Sequence, residues 1–220
     1  AIALLQAAPS SKAVLATLMT ALSIPFPLSD PLSVAVLAFD TSPEQKSLAE
    51  GVLVETGTLL RQVKVPGWRF STIPVSESID QEMKTLGATH VLQGTLQQRT
   101  GVITVRAKVT DTRSLRVIRD LALEFPPADV QLIPRALAGI VTGSLRLPSV
   151  PENPMNPEAY RYYIEGLGHL RHESRADDAI ASLEQAAKLD PSSAPVGAAL
   201  AQAYFLKYKV SSNPHYDELA

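Results

Sequence analysis

The chain has 220 residues, 45% hydrophobic and 19% charged, with a net charge of −2 at pH 7 and no cysteine. That balance excludes a disordered polyelectrolyte, an electrostatic grip on nucleic acid or anionic membrane, and any disulfide, thiolate–metal or cysteine-nucleophile chemistry. The length suits one or two domains with room for a real core.

Residues 1–30 carry a single cation, Lys12, and a single anion, Asp30. The apolar stretch Ala13–Leu28 is broken by Ser23, Pro25 and Pro27, and is shorter than the ~20 apolar residues a bilayer span needs. Val14, Leu15, Leu18, Met19 and Leu22 fall at helical spacing, which predicts a short amphipathic helix packing on the domain or on a second copy. The competing reading is a membrane-proximal segment. The chain begins without Met and ends in helix-forming sequence, as expected of a piece of a longer protein.

An α/β domain is predicted over 31–148. Ser33–Phe39 is a continuous apolar run, as in a strand buried on both faces. Ser42-Pro43-Glu44-Gln45 reads as a helix start, with Ser42 capping and Gln45 closing a capping box. Leu48, Val52, Leu59 and Val63 give that helix one apolar face, and Pro66-Gly67 ends it. Trp68–Val75 is a second strand. A second helix follows from Ser76 or Ser78, carrying Ile79, Met83 and Leu86, and Gly87 stops it. Three strands come next, His90–Gln97, Val102–Val109 and Leu115–Phe125. Turns at Arg99-Thr100-Gly101 and Asp111-Thr112-Arg113 separate them, and their alternation implies one packed and one wet face. Asp129 is placed to cap a third helix bearing Leu132, Ile133, Leu137, Ile140, Val141 and Leu145. Gly139 and Gly143, four apart on it, suggest a close helix contact. The order β-α-β-α-β-β-β-α implies a mixed sheet flanked by helices.

Residues 149–157 form a proline-rich linker or stiff hinge. A helical tail fills 158–220, opened by Asn156-Pro157-Glu158. Ala179-x3-Leu183-x2-Ala186-x4-Pro191 matches the second half of the 34-residue tetratricopeptide pattern, and Leu200-Ala201-x2-Tyr204 begins a second, truncated unit. So short an array would leave an apolar helix face uncovered, to rest on the α/β domain or on another chain.

Val34–Phe39 followed by Leu48-Ala49-Glu50-Gly51-Val52, then Leu86–Leu96, then Val105–Asp111, resembles in order the signatures of the TolB amino-terminal-like domain over about residues 33–147. Ala38 and Glu50 stand where that family has proline and aspartate, so no role of those two side chains carries over. With N-P-E-A-Y and tetratricopeptide-like helices behind it, the chain resembles the carboxy-terminal half of certain bacterial receptors. Ala203–Val210 with Asn213-Pro214-His215 is most similar to the serine/threonine-kinase version. The resemblance implies a non-catalytic, extracytoplasmic sensing or protein-interaction module in the cell envelope, with the kinase upstream and the membrane reached only through the rest of the parent protein. The alternatives are a soluble periplasmic scaffold, or the sensor half of an adenylate cyclase or CadC-like regulator.

No glycine-rich phosphate loop and no H-R-D or D-F-G word occurs, so neither catalysis nor a cofactor is expected of this fragment. His169, His172 and Glu173 could cluster as metal ligands, but an i, i+3 pair without a third ligand reads better as a solvated helix end. His90 reads as a polar edge residue, Trp68 as core, and Asp177-Asp178 as capping. Glu44 and Glu50 have no carboxylate partner that spacing can place. The candidate partner-binding residues are Tyr160, Tyr163, Leu167, Gln202 and Phe205, which would take a protein or peptide on the repeat helices. Self-association through the N-terminal segment or the uncovered helix face is the other expected contact.

Overall fold

Residues 32–73, 87–151 and 155–220 are described by a computed structural model. The predicted helices of 1–30 and 76–86 lie outside the described residues. Leu32–Ala220 form one compact unit.

A five-stranded sheet has the order β2-β1-β3-β4-β5. Its strands are β1 (Ser33–Leu37), β2 (Arg69–Ile73), β3 (His90–Arg99), β4 (Val102–Asp111) and β5 (Val117–Phe125). β1 pairs in parallel with β2 and β3, while β3, β4 and β5 form an antiparallel meander. All five residues of β1 are buried, which fits its unbroken apolar sequence between two neighbours. Val36, Leu92 and Val109 share register, as do Leu96 and Val105, so these side chains build one apolar face. Ala35, Leu37 and Val91 point the other way and form a smaller cluster with Ala88. Past Val91 along β3 that second face turns polar, with Gln93 beside Lys108, Thr95 beside Arg106, and Gln97 beside Thr104. The β3–β4 turn places Thr100 and Gly101 at φ 45° and 79°, the left-handed pair that a two-residue hairpin requires.

Helix α1 (Lys46–Arg61) follows a 3₁₀ turn at Pro43–Gln45 and packs with α2 (Leu132–Ser144) on the apolar face. Gln45 does not close a capping box. Its side chain instead clamps the backbone of Gln98, donating to the carbonyl and accepting from the N–H, each at 3.0 Å. Asp129 lies in its own 3₁₀ turn and makes no cap for α2, and Leu132 is 47% exposed rather than inward. Nothing lies within 4 Å of where a Cβ would sit on Gly139 or Gly143, so this spacing makes no close helix contact. β5 also departs from expectation, since none of its residues is buried.

The tail consists of α3 (Pro157–His169), α4 (Ala176–Leu189), α5 (Ala194–Ser211) and α6 (Pro214–Leu219), each packed on the next. Asn156 caps α3 by accepting from the Glu158 N–H at 2.9 Å, and Pro157 takes the first helical position, where a missing N–H costs nothing. Val150 and Met155 are buried, which anchors both flanks of the proline-rich stretch. The helical tail rests on the α/β domain through α1 and α3.

Leu115, in the β4–β5 turn, has φ 56° and is 74% exposed. Leucine in that region costs about 1–2 kcal/mol, whereas asparagine tolerates it. Leu115→Asn should therefore stabilise the chain by about 1 kcal/mol in urea unfolding.

Candidate functional site

The densest cluster of buried polar side chains among the described residues lies on the seam between α1 and α3. Ser47 meets Gly168, Gly51 meets Ile164, and Glu55 meets Tyr160 and Tyr163, so the two helices run antiparallel. Two glycines set how close they come. A Cβ on Gly51 would overlap the Ile164 carbonyl oxygen, and a Cβ on Gly168 would overlap that of Ser47, each well under the 3.0 Å that real Cβ atoms respect. Backbone therefore meets backbone on both sides of the seam. On the far side of α3, Gly166 leaves room for the Leu183 side chain of α4.

Polar groups run along this contact. Arg175 donates to the Ser47 hydroxyl, and His172 Nε2 sits 2.9 Å from the Glu50 carboxylate. At the deep end the Tyr160 hydroxyl donates to Glu55 Oε1 at 3.0 Å and the Tyr163 hydroxyl to Oε2 at 3.3 Å. Glu55 is 3% exposed. Burial pushes its carboxyl above the ordinary range, against the two phenol hydrogen bonds that favour the ionised form. The phenols of Tyr160 and Tyr163 are held far above their ordinary value, first by burial and then by the Glu55 charge. Their rings meet at 5.8 Å, tilted by 58°.

This arrangement changes the place of the predicted binding residues. Tyr160 and Tyr163 are each 5% exposed and Leu167 is 8%. They face the chain's own α1, whose Glu55 satisfies both hydroxyls, so they form no open peptide groove. Gln202 and Phe205 stand three apart on α5, both exposed, with Phe205 at 50%. The five residues thus divide between a closed seam and an open helix face.

The remaining candidates have local partners. His169 is buried, not solvated at a helix end; its Nε2 lies 3.9 Å from Glu165. His172 is taken by Glu50, which therefore has a partner after all, a histidine rather than a carboxylate. Among the described residues no group of three His, Asp or Glu is placed to hold a metal ion. His90 contacts the Thr89 hydroxyl through Nδ1 at 2.9 Å. The Trp68 indole donates to the Leu60 carbonyl at 3.0 Å and packs on the core. Asp178 pairs with Arg175 at the start of its own helix and Asp177 with Lys207 of α5, so neither caps α4 and Asp177 ties the two helices together. Glu44 is exposed, and a hydrogen bond with Ser42 holds its carboxyl below the usual range.

Two clefts flank α1. The larger, about 550 Å³, opens past the end of β1 and is walled by Ala38, Phe39, Asp40, Lys46 and Leu53. Asp40 is fixed there because its N–H donates to the Gly94 carbonyl and its carbonyl accepts from the Leu96 N–H, each at 3.0 Å. The smaller, about 210 Å³, lies at the open end of the seam among Gln98, Arg161, Glu165 and Arg175.

No protein-family model and no curated protein matches the chain. Solved structures do. TolB from Acinetobacter baumannii aligns at TM-score 0.42 with 14% identity, over 53% of this chain and 28% of that one. A PelC dodecamer subunit from Paraburkholderia phytofirmans aligns at TM-score 0.40 with 16% identity, over 53% and 89%. A chain from Aeropyrum pernix described as a threonyl-tRNA synthetase aligns at TM-score 0.30 with 21% identity, over 56% and 28%. The chain thus spans little more than a quarter of the TolB chain it matches.

Sequence reasoning missed Glu55. The signal was present: Leu48, Val52, Glu55, Leu59 form one helical stripe, and a carboxylate in an apolar stripe asks for buried donors.

Proposed function

We propose that this chain is a non-catalytic interaction module, an α/β domain carrying a docked helical array, and that it is the extracytoplasmic part of a bacterial membrane receptor with serine/threonine-kinase output. The observation that carries the reading is the α1–α3 seam. Glycine-mediated backbone contact and a buried Glu55–Tyr160–Tyr163 cluster join the array to the α/β domain without slack. A partner held on the array then reorients the α/β domain with it, which is what a sensor needs in order to pass on a binding event. The ordered TolB-like and tetratricopeptide-like words support the receptor assignment. The exposed pair Gln202 and Phe205 is the proposed contact for a protein or peptide partner.

The first test is the reading frame upstream of Ala1. Kinase words followed by an apolar run of about 20 residues are expected. A cleavable signal peptide there would replace the receptor with a free periplasmic scaffold. The second test is biochemical. The purified chain with ATP and Mg²⁺ should show no phosphotransfer. Peptides selected on it from a display library should lose binding to Phe205→Asp, with unfolding free energy unchanged within about 0.5 kcal/mol, as for most surface substitutions. Phosphotransfer, or selected peptides indifferent to Phe205→Asp, would refute the corresponding half of the proposal.

A further inference from the structure

His169 is the last residue of α3 and sits on the seam. It follows Gly168, where an added Cβ would overlap the Ser47 carbonyl, and it shares the cleft of about 210 Å³ with Ser47 and Leu48 of α1. The residue is 5% exposed. Its Nδ1 is buried with no hydrogen-bond partner among the described residues, and its Nε2 reaches Glu165 only at 3.9 Å, beyond a hydrogen bond. A neutral imidazole tolerates this site, because the ring with its hydrogen on Nε2 leaves Nδ1 a bare acceptor. An imidazolium does not, since both nitrogens then donate and the Nδ1–H meets no acceptor. The surrounding charges do not compensate. Arg175, held at the seam by its bond to Ser47, repels a second cation, and Arg161 lines the same cleft. Glu50 is engaged by His172, Asp178 by Arg175 and Glu44 by Ser42. Glu165 remains, but its side chain is 47% exposed, and water weakens its pull. Burial first, and then Arg175, hold the ring's pKa below its ordinary 6.5.

We propose that His169 is a proton-operated release for the seam: when its ring charges, α3 parts from α1 and the helical array leaves the α/β domain. Undocking gives the imidazolium the water that the seam withholds. The cleft leads solvent to the ring, so a proton arrives without the seam first opening. Stability from the neutral ring is complete above pH 6.5, the ordinary value, and is lost as pH falls from there toward the lower folded value. Across that interval the docking constant drops by up to about tenfold per pH unit, the limit for a single proton. His172, three residues on, is no second release, because Glu50 accepts from its Nε2 at 2.9 Å whether that ring is neutral or charged. The response belongs to the seam and requires no partner on Gln202 or Phe205.

The test is amide hydrogen exchange in the full chain, native against His169→Gln, so that the intrinsic pH dependence of exchange cancels in the ratio. Between about pH 7.5 and about pH 5.5 the native-to-variant rate ratio in α3 should rise several-fold, because only the native chain carries the charging ring. His90 is the other histidine held low by burial, and a chain with His90→Gln should show the same acid response in α3 as the native chain. A titration of the ring resonances in the native chain needs no variant to fold, and there the His169 imidazole should titrate below 6.5. A His169 ring that titrates at or above 6.5 overturns the proposal. A rate ratio that stays flat between the two pH values, or an acid response in α3 that disappears with His90→Gln, overturns it equally.

Discussion

Gly51→Ala and Gly168→Ala should each destabilise the chain by about 3 kcal/mol or more, while Gly139→Ala and Gly143→Ala should stabilise it by up to about 1 kcal/mol. All four are helical glycines, and alanine is the better helix former by ~1 kcal/mol. The sign is decided by what the added methyl meets. At 139 and 143 it meets nothing within 4 Å. At 51 and 168 it meets a carbonyl oxygen of the partner helix. Main chain cannot rotate aside as a side-chain tip can, so α1 and α3 must separate. Separation costs more than the local clash. It opens the buried Glu55 carboxylate and both phenols, and it loosens the packing of Ile164, which is fully buried. Urea unfolding of the four variants measures the sign directly. Limited proteolysis gives an independent readout, since an undocked tail should release the buried Val150 and Met155 and quicken cleavage beside them. If Gly51→Ala and Gly168→Ala were neutral and left the cleavage rate unchanged, the seam would not be what holds the tail in place.

How much of this could be read beforehand depends on whether a feature is local or needs two elements at once. Strand and helix order follows from periodicity and turn residues, and Thr100-Gly101, Asn156-Pro157 and Pro66-Gly67 mark their boundaries because backbone chemistry acts over two or three residues. The close helix contact was legible as a kind of event but not as a place. Gly139 and Gly143 carry the regular i, i+4 spacing, yet the contact is made by Gly51 and Gly168, more than a hundred residues apart and on different elements. A pattern on one helix cannot show which partner faces it. Gln45 illustrates the same limit at smaller scale. Its spacing from Ser42 suits a capping box, but the end of β3 passes close enough for its amide to pair with Gln98 at both backbone groups. Tyr160 and Tyr163 were legible as a pair on one helix and were read as contacts for a partner. What they pack on, a buried carboxylate from the α/β domain, follows only once α3 is laid against α1. Gln202 and Phe205 are exposed on their helix, and exposure alone assigns them no partner.

Glu55→Leu is expected to cost about 2–4 kcal/mol at neutral pH, and the triple variant Glu55→Leu/Tyr160→Phe/Tyr163→Phe to recover most of that loss. Removing the carboxylate alone leaves two buried hydroxyls without an acceptor, at ~1–3 kcal/mol each. Removing donors and acceptor together leaves an apolar seam with nothing unsatisfied. If the triple variant were less stable than Glu55→Leu, the cluster would not be the coupled unit that the geometry describes. The same three groups set a pH dependence of definite sign. The Glu55 carboxyl is raised in the folded state above its ordinary value of 4.5, because burial disfavours the charge. Its protonated form therefore binds more tightly in the fold than in the unfolded chain. That contribution is complete below pH 4.5 and is lost as pH rises through the higher folded value. Other carboxyls, Asp111 and Asp120 among them, are lowered by hydrogen bonds and act in the opposite sense, so the measurement is the difference between the native chain and Glu55→Gln across pH. That difference should shift against the native chain as pH increases from 4 to neutrality. A second loss follows at the alkaline end. The unfolded phenols ionise near their ordinary 10.0, while Tyr160 and Tyr163 in the fold resist well beyond it. Unfolding is therefore increasingly favoured above pH 10, and Tyr160→Phe/Tyr163→Phe should flatten that limb. A native chain whose alkaline limb matches that of the double phenylalanine variant would mean that these hydroxyls already reach solvent, and that the seam is open rather than closed.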